Sequence, residues 1–173
     1  MAEDFEDVSV FVLSSERELT LFEKQTECVF MWTTKDGDAV GVIMNYVYHD
    51  GKFWLTGSGQ RKRFAALARR PRAAVAMTSR GTDIGISQSV TYKGPVVLHE
   101  DDETKAWFYP ALAARVRPKS AEKQAAFAKF LDSPRRIVIE LIPEARIGFD
   151  AEYMFEGTGA GQTEHEQFDT DTD

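Results

Sequence analysis

Cysteine is almost missing from this chain: Cys28 is the only one in 173 residues. A lone thiol closes no intrachain disulfide, so stability must come from a packed core, and the expected setting is a reducing cytoplasm. Cys28 itself reads as a small buried apolar residue at the start of a strand rather than as a nucleophile. No apolar run approaches the ~20 residues of a membrane-spanning helix. The segment Met1-Ala2-Glu3-Asp4 is acidic and has neither the basic region nor the apolar stretch of a secretion signal. Positive charge is in deficit, with 21 Lys and Arg against 28 Asp and Glu and a formal net charge of -7. That balance argues against general nucleic-acid binding. The histidines are few and scattered: His49 in a turn, His99 at a strand end and His165 near the end of the chain. They show no metal-ligand spacing, so no metal site is expected. There is no Gly-x-Ser-x-Gly elbow either, and no histidine is placed to activate a serine.

What is present is a hydrophobic fraction of 43%, that of a folded globular protein, over a length suited to one domain with a full core. The most informative stretch runs from Phe53 to Leu67. Phe53-Trp54-Leu55-Thr56 reads as a strand. Gly57 and Gly59 then relax the backbone, Ser58 stands as the expected helix N-cap, and Phe64, Leu67 and Ala68 give helical spacing until Pro71. Arg61 and Lys62 fall in the first turn of that helix, where cations oppose the helix dipole unless an anion lies between them and the free amides. Two readings stand side by side: a phosphate site between a strand and a helix, or a solvated basic helix start. The basic run from Arg61 to Arg72 on an acidic chain suits a small anionic ligand better than a nucleic-acid backbone.

Around this stretch the chain alternates strands and turns. A helix is expected over Ser15 to Glu27, with Leu19, Leu21 and Phe22 turned inward. Strands follow at Cys28 to Thr34 and Ala39 to Tyr48, joined by Lys35-Asp36-Gly37-Asp38; a second Asp-Gly turn, His49 to Lys52, leads to Phe53. Further strands are expected at Arg72 to Thr78 and at Ser87 to Leu98, the latter bent at Gly94-Pro95. A helix from Asp101 should end at Pro110, and Ser120 should cap another to Leu131 with Phe127, Phe130 and Leu131 on one face. Arg136 to Ile142 is a strand, and Arg146 to Phe149 a short last one. Tyr46, Tyr48 and Trp54 are either core packing or a stacking surface for a ring. The domain is expected to span 1–155, followed by an acidic disordered tail over 156–173 whose glycines open no helix and form no dinucleotide fingerprint. Hairpin-linked strands with helices inserted between them describe a mainly β protein, an antiparallel barrel with flanking helices.

This order, together with Leu55-Thr56, Gln60-Arg61-Lys62, Arg70-Pro71-Arg72 and Val90-Thr91-Tyr92-Lys93-Gly94, resembles the pyridoxamine 5'-phosphate oxidase-like superfamily. The similarity covers roughly Leu21 to Asp150. The resemblance implies the FMN-binding split-barrel fold of flavin and deazaflavin oxidoreductases, with FMN or coenzyme F420 bound at the interface of a homodimer and a hydride moved to or from a small organic substrate. Carried over residue by residue, Thr56, Gln60, Arg61 and Lys62 would hold the cofactor phosphate, with Gln60 standing where the family usually has a small hydroxyl residue. Met44, Asn45 and Leu55 would lie along the ring or ribityl chain, and Gln88 and Ser89 would approach from the long strand. Arg63, Arg69 or Arg70 would meet the glutamate tail if the cofactor were F420. Val40 and Asn45 stand where pyridoxine-phosphate oxidases carry basic residues, and their C-terminal Arg and His pattern is missing, so pyridoxamine phosphate is not the expected substrate. A competing function class on the same fold is a non-catalytic flavin- or haem-binding carrier or sensor.

Overall fold

The computed structural model describes residues 8–84 and 87–156; the tail expected over 156–173 lies outside them apart from Glu156. After a short 3-10 turn at Val8–Val10, the order is α1 (Ser15–Lys24), β1 (Glu27–Thr33), β2 (Ala39–Asn45), β3 (Val47–His49), β4 (Lys52–Ser58), α2 (Lys62–Arg69), β5 (Arg72–Thr78), β6 (Gln88–His99), α3 (Asp102–Val116), α4 (Ala121–Leu131), β7 (Arg136–Leu141), β8 (Ala145–Asp150) and the single turn α5 (Ala151–Met154). The strands join in the order β2-β1-β5-β6-β7-β4-β3, with β8 added alongside β6. Every pairing is antiparallel, and the sheet curls into an open, split barrel with helices at its flanks. Among the described residues no helix is long and apolar enough to cross a membrane.

Two Asp-Gly turns make the early hairpins. Gly37 has φ +100°, and Asp50 and Gly51 have φ 50° and 71°, the left-handed geometry that tight hairpins demand. The expected strand from Ala39 to Tyr48 is split, because Tyr46 turns fully into the core and its hydroxyl donates to the Phe22 carbonyl. The longest strand, β6, serves both halves of the sheet. Its first part lies between β5 and β8, and beyond Pro95 it pairs with β7 instead. Gly94 sits at that change of partner, where an added Cβ would stand 1.9 Å from the Ile142 carbonyl oxygen. Only glycine allows so close a backbone approach.

Alternation along β4 sets up two apolar regions. Phe53 and Leu55 point into the barrel core with Phe30, Val75, Val90, Ile139 and Leu141, while Trp54 points to the other face and packs with Phe108, Tyr109, Leu112, Leu131 and Val138 beneath α3 and α4. Thr56, two residues beyond Trp54, belongs to this outer, helix-covered face.

Several local expectations are corrected. Leu19 is exposed while Leu21, Phe22 and Glu18 are buried, because α1 rests on the barrel through a turn of its face that brings Glu18 to Tyr92 (2.6 Å) and Arg146 (2.7 Å). In α2 the inward residues are Phe64, Ala66 and Leu67, with Ala68 exposed. Pro110 does not end α3, which runs through it to Val116. Proline forfeits one helical hydrogen bond, and the burial of Tyr109, Leu112 and Ala113 on either side outweighs the loss. In α4 only Leu131 is buried, and Phe130 is 69% exposed.

Candidate functional site

Where β4 ends, the backbone passes Gly57 and Gly59 before α2 begins. Neither glycine could carry a side chain without a shift: a Cβ on Gly57 would lie 3.2 Å from Arg63 Nη2, and one on Gly59 would lie 2.9 Å from Ile137 Cδ1. The junction is therefore held tightly against β7. Its N-cap is Arg61, not Ser58 as expected; Ser58 is still in β4, opposite Arg136 of β7, and its carbonyl accepts from the Arg61 N–H at 2.9 Å. Arg61 has extended backbone and gives no side-chain cap, and the first turn holds no acidic residue. The leading amides of α2 thus lack the side-chain acceptor that usually satisfies them. Gln60, Arg61 and Lys62 are exposed around them.

Beside the junction lies a cavity of about 190 Å³ lined by Met44, Asn45, Thr56, Arg63 and Arg136, and by the α3–α4 residues Leu112, Phe127, Phe130 and Leu131. The Thr56 hydroxyl donates to the Ile137 carbonyl at 2.8 Å, so it offers a ligand lone pairs rather than a proton. Asn45 Nδ2 donates to the Thr26 carbonyl at 3.1 Å, which fixes the amide at the cavity edge. The Arg63 guanidinium lies over the Trp32 ring, 5.9 Å from its centroid, and over Phe64 at 6.0 Å; that of Arg136 lies over Phe130 at 5.8 Å. In both arginines Nε is buried without an acceptor. Burial, and then the nearby charge of Arg61, pull the Arg63 pKa below the ordinary arginine value. The group stays protonated at any working pH. Two cations lining one cavity with unsatisfied donors are an arrangement that an anion relieves.

The residues expected at a cofactor site are thus not all brought together. Met44, Asn45 and Thr56 line the cavity, and Gln60, Arg61 and Lys62 are exposed at the start of α2. Leu55 is fully buried with its side chain in the barrel core, because it alternates with Thr56 along β4; only its backbone can face a ligand. Gln88 and Ser89 stand at the far end of β6. Leu55 is level with Ile139, and Ile139 with Leu98, which leaves roughly 30 Å of strand between that level and Gln88 at ~3.3 Å per residue. Gln88 is buried, its N–H donates to Ser79 Oγ at 3.0 Å, and its Oε1 has no partner. Arg69 and Arg70 lie at the other end of α2, with Arg70 bound to the Thr34 carbonyl at 3.0 Å.

Sequence reasoning missed Arg136, Phe127 and Phe130 as members of the site. Between 71 and 80 residues separate them from Thr56, and the β4–β7 pairing, with Ser58 opposite Arg136, helps bring them together. Cys28, Tyr46 and Trp54 are structural residues. Burial pushes the Cys28 thiol up to about 12, so it is protonated and inert. Tyr46 and Trp54 are core residues. His49 stacks on Trp107 and His99 bonds to Glu140, away from the cavity. No cluster of metal-ligating side chains occurs among the described residues.

Comparison of the sequence with curated proteins gives no match. Among solved structures, a conserved protein of Mycobacterium tuberculosis superposes with a TM-score of 0.69 at 17% identity, covering 82% of this chain and 88% of that one. An F420 reductase superposes with a TM-score of 0.57 at 17% identity, covering 74% and 94%. HutZ, a haem storage protein of Vibrio cholerae, gives 0.57 at 14% identity, covering 78% and 94%. At such identities these likenesses establish the shared split-barrel fold. The family model described as pyridoxamine 5'-phosphate oxidase matches residues 15–147, most of the chain and all of the junction just described, and the chain belongs to that family.

Proposed function

We propose that the chain is an oxidoreductase that binds FMN or coenzyme F420 with the cofactor phosphate at the β4–α2 junction, and that moves a hydride between this cofactor and a small organic substrate. The observation that carries the reading is the uncapped, acid-free first turn of α2 with Arg61 and Lys62 exposed beside it. Charged donors and free amides converge there, which is what a phosphate requires. The residues fit the group. The cavity next to the junction, at about 190 Å³, falls short of the ~300–1,000 Å³ that a complete small-molecule ligand occupies, so the ring system lies outside it.

The bound cofactor would supply the hydride chemistry. This chain's residues bind and orient. Arg61, Lys62 and the α2 amides hold the phosphate, Met44 and the backbone at Leu55 border the chain leading to the ring, and the Asn45 amide is fixed by Thr26 to present its other edge. Gln88 and Ser89 lie at the other end of β6, and in this reading they come from the second subunit of a homodimer. A haem carrier is the weaker reading, because no described histidine lines the cavity to serve as an axial ligand. Mass spectrometry of the small molecule that copurifies tests the proposal. A flavin or deazaflavin that is reduced and reoxidised with conjugated carbonyl acceptors supports it, a cofactor that binds but never cycles supports a carrier, and a haem overturns it.

A further inference from the structure

We propose that Arg115, near the end of α3, is a positioning residue that sets the orientation of the Asn45 amide at the cofactor cavity. The proposal rests on the proposed function for what Asn45 meets, and not for how Asn45 is held.

Asn45 Nδ2 donates to the Thr26 carbonyl at 3.1 Å. A carbonyl only accepts, so this bond decides which end of the amide faces Thr26 and leaves Oδ1 as the acceptor for a ligand's donor. The amide is held only as firmly as that carbonyl, and Thr26 lies in the two-residue link between α1 and β1. Both peptide planes beside Thr26 are clamped. The plane before it carries the Gln25 carbonyl, which accepts from Arg115 Nη2 at 2.5 Å. The plane after it carries the Glu27 N–H, which donates to Gln25 Oε1 at 3.2 Å. Gln25 Nε2 in turn donates to the Thr78 and Arg80 carbonyls at 2.8 and 3.2 Å, so that side chain is fixed as well.

Arg115 also reaches Asn45 from its other neighbour. The guanidinium lies over the Tyr46 ring, 4.8 Å from its centroid, and Tyr46 is the fully buried residue that follows Asn45 in the chain. Arg115 Nη2 and the Tyr46 hydroxyl both donate to the Phe22 carbonyl. One side chain thus anchors the link that accepts from the Asn45 amide and the residue that fixes the Asn45 backbone. A cation at the last carbonyls of α1 is also an ordinary helix cap. A cap needs only a charge near those carbonyls, whereas reaching over the Tyr46 ring while one nitrogen spans both of them suits the planar guanidinium.

The test uses the full-length protein. In isotopically labelled apo protein, the Asn45 side-chain amide signals are identified by nuclear magnetic resonance through their loss in Asn45→Ala. Arg115→Ala should shift these signals and speed their exchange with solvent, and Arg115→Lys should do so less. FMN and F420 are then titrated separately into wild type, Arg115→Ala, Asn45→Ala and the double variant. Arg115→Ala should weaken the cofactor that wild type binds by roughly threefold to tenfold, the scale of one neutral hydrogen bond, and by no more than Asn45→Ala does. In the Asn45→Ala background it should cost nothing further, because the residue it acts through is gone. A residue that merely caps α1 would lower the melting temperature, leave the Asn45 signals in place, and add its effect on affinity to that of Asn45→Ala. Unmoved signals or additive losses would overturn the proposal. Arg115→Lys carries the same comparisons if Arg115→Ala does not fold. Wild type that binds neither cofactor would refute the proposed function, and the amide signals alone would then decide whether Arg115 holds Asn45.

Discussion

Glu140 shows how a single buried charge is kept ionised in this barrel. It lies on β7, opposite Trp54 and buried, yet Lys52 Nζ reaches one carboxylate oxygen at 2.6 Å and His99 Nε2 the other at 2.8 Å. Burial alone would raise its pKa, but the hydrogen bonds and charges of Lys52 and His99 win and hold it below the usual carboxylate range. A carboxyl group whose pKa is lower folded than unfolded stabilises the fold above its unfolded value. That contribution is lost as pH falls through the folded one. Thermal melts of Glu140→Gln should therefore show a few degrees' loss at pH 7, shrinking steadily below about pH 4.5 toward the wild-type value. A constant difference from pH 7 to pH 3 would mean that the carboxylate is not what matters there. Arg63 is the contrast: its Nε is buried without an acceptor, and burial, then the nearby charge of Arg61, lower its pKa.

At the scale of elements, β6 is the piece on which the sheet depends. It pairs with β5 and β8 and then with β7, and the change of partner passes through Gly94 with 1.9 Å between a would-be Cβ and the Ile142 oxygen. Gly94→Ala cannot be absorbed by a side-chain rotation, because the obstacle is backbone. It should cost more than about 3 kcal/mol, above the usual cost of overpacking. Urea unfolding measures this, and a loss under about 1 kcal/mol would show that the two halves of the sheet are not coupled at this point. The bend at Gly94-Pro95 was legible in the sequence, as were the two early Asp-Gly hairpins, because glycine, proline and Asp-Gly pairs state their backbone geometry locally. Pro110 and Ser58 misled for the same reason. A proline suggests an end and a serine a cap, but the packing of Tyr109, Leu112 and Ala113 carries α3 onward, and the β4–β7 pairing holds Ser58 in the strand. Inward faces such as Leu21 over Leu19 depend on where a helix lands on the barrel, which no local pattern states.

For the whole molecule, the apolar residues left uncovered are as telling as the core. Ile43 on β2 is 62% exposed, Ile147 on β8 67% and Val97 on β6 41%. Apolar residues gathered into a patch mark an interaction surface, and under the proposed function Gln88 and Ser89 reach the β4–α2 junction from a second copy. Light scattering at micromolar concentration should give the mass of a dimer, whose interface would bury well over ~2,000 Å². A monomer mass would contradict both the assembly and the shared cofactor site.

The basic start of α2 was legible because Arg61 and Lys62 are adjacent in the chain and conflict with the helix dipole. The cavity was not, because Arg63, Arg136 and Phe130 meet only after β7 has docked on β4. The most direct measurement of the central claim is therefore made on the legible pair. FMN and F420 are titrated separately into apo wild type, Arg61→Ala and Lys62→Ala. Each substitution should weaken binding of the preferred cofactor by roughly tenfold to a hundredfold, as expected for one charge-assisted hydrogen bond to phosphate, while the melting temperature of the apo protein holds or rises as a cation leaves the helix N-terminus. Affinities unchanged from wild type in both variants, for both cofactors, would contradict the account.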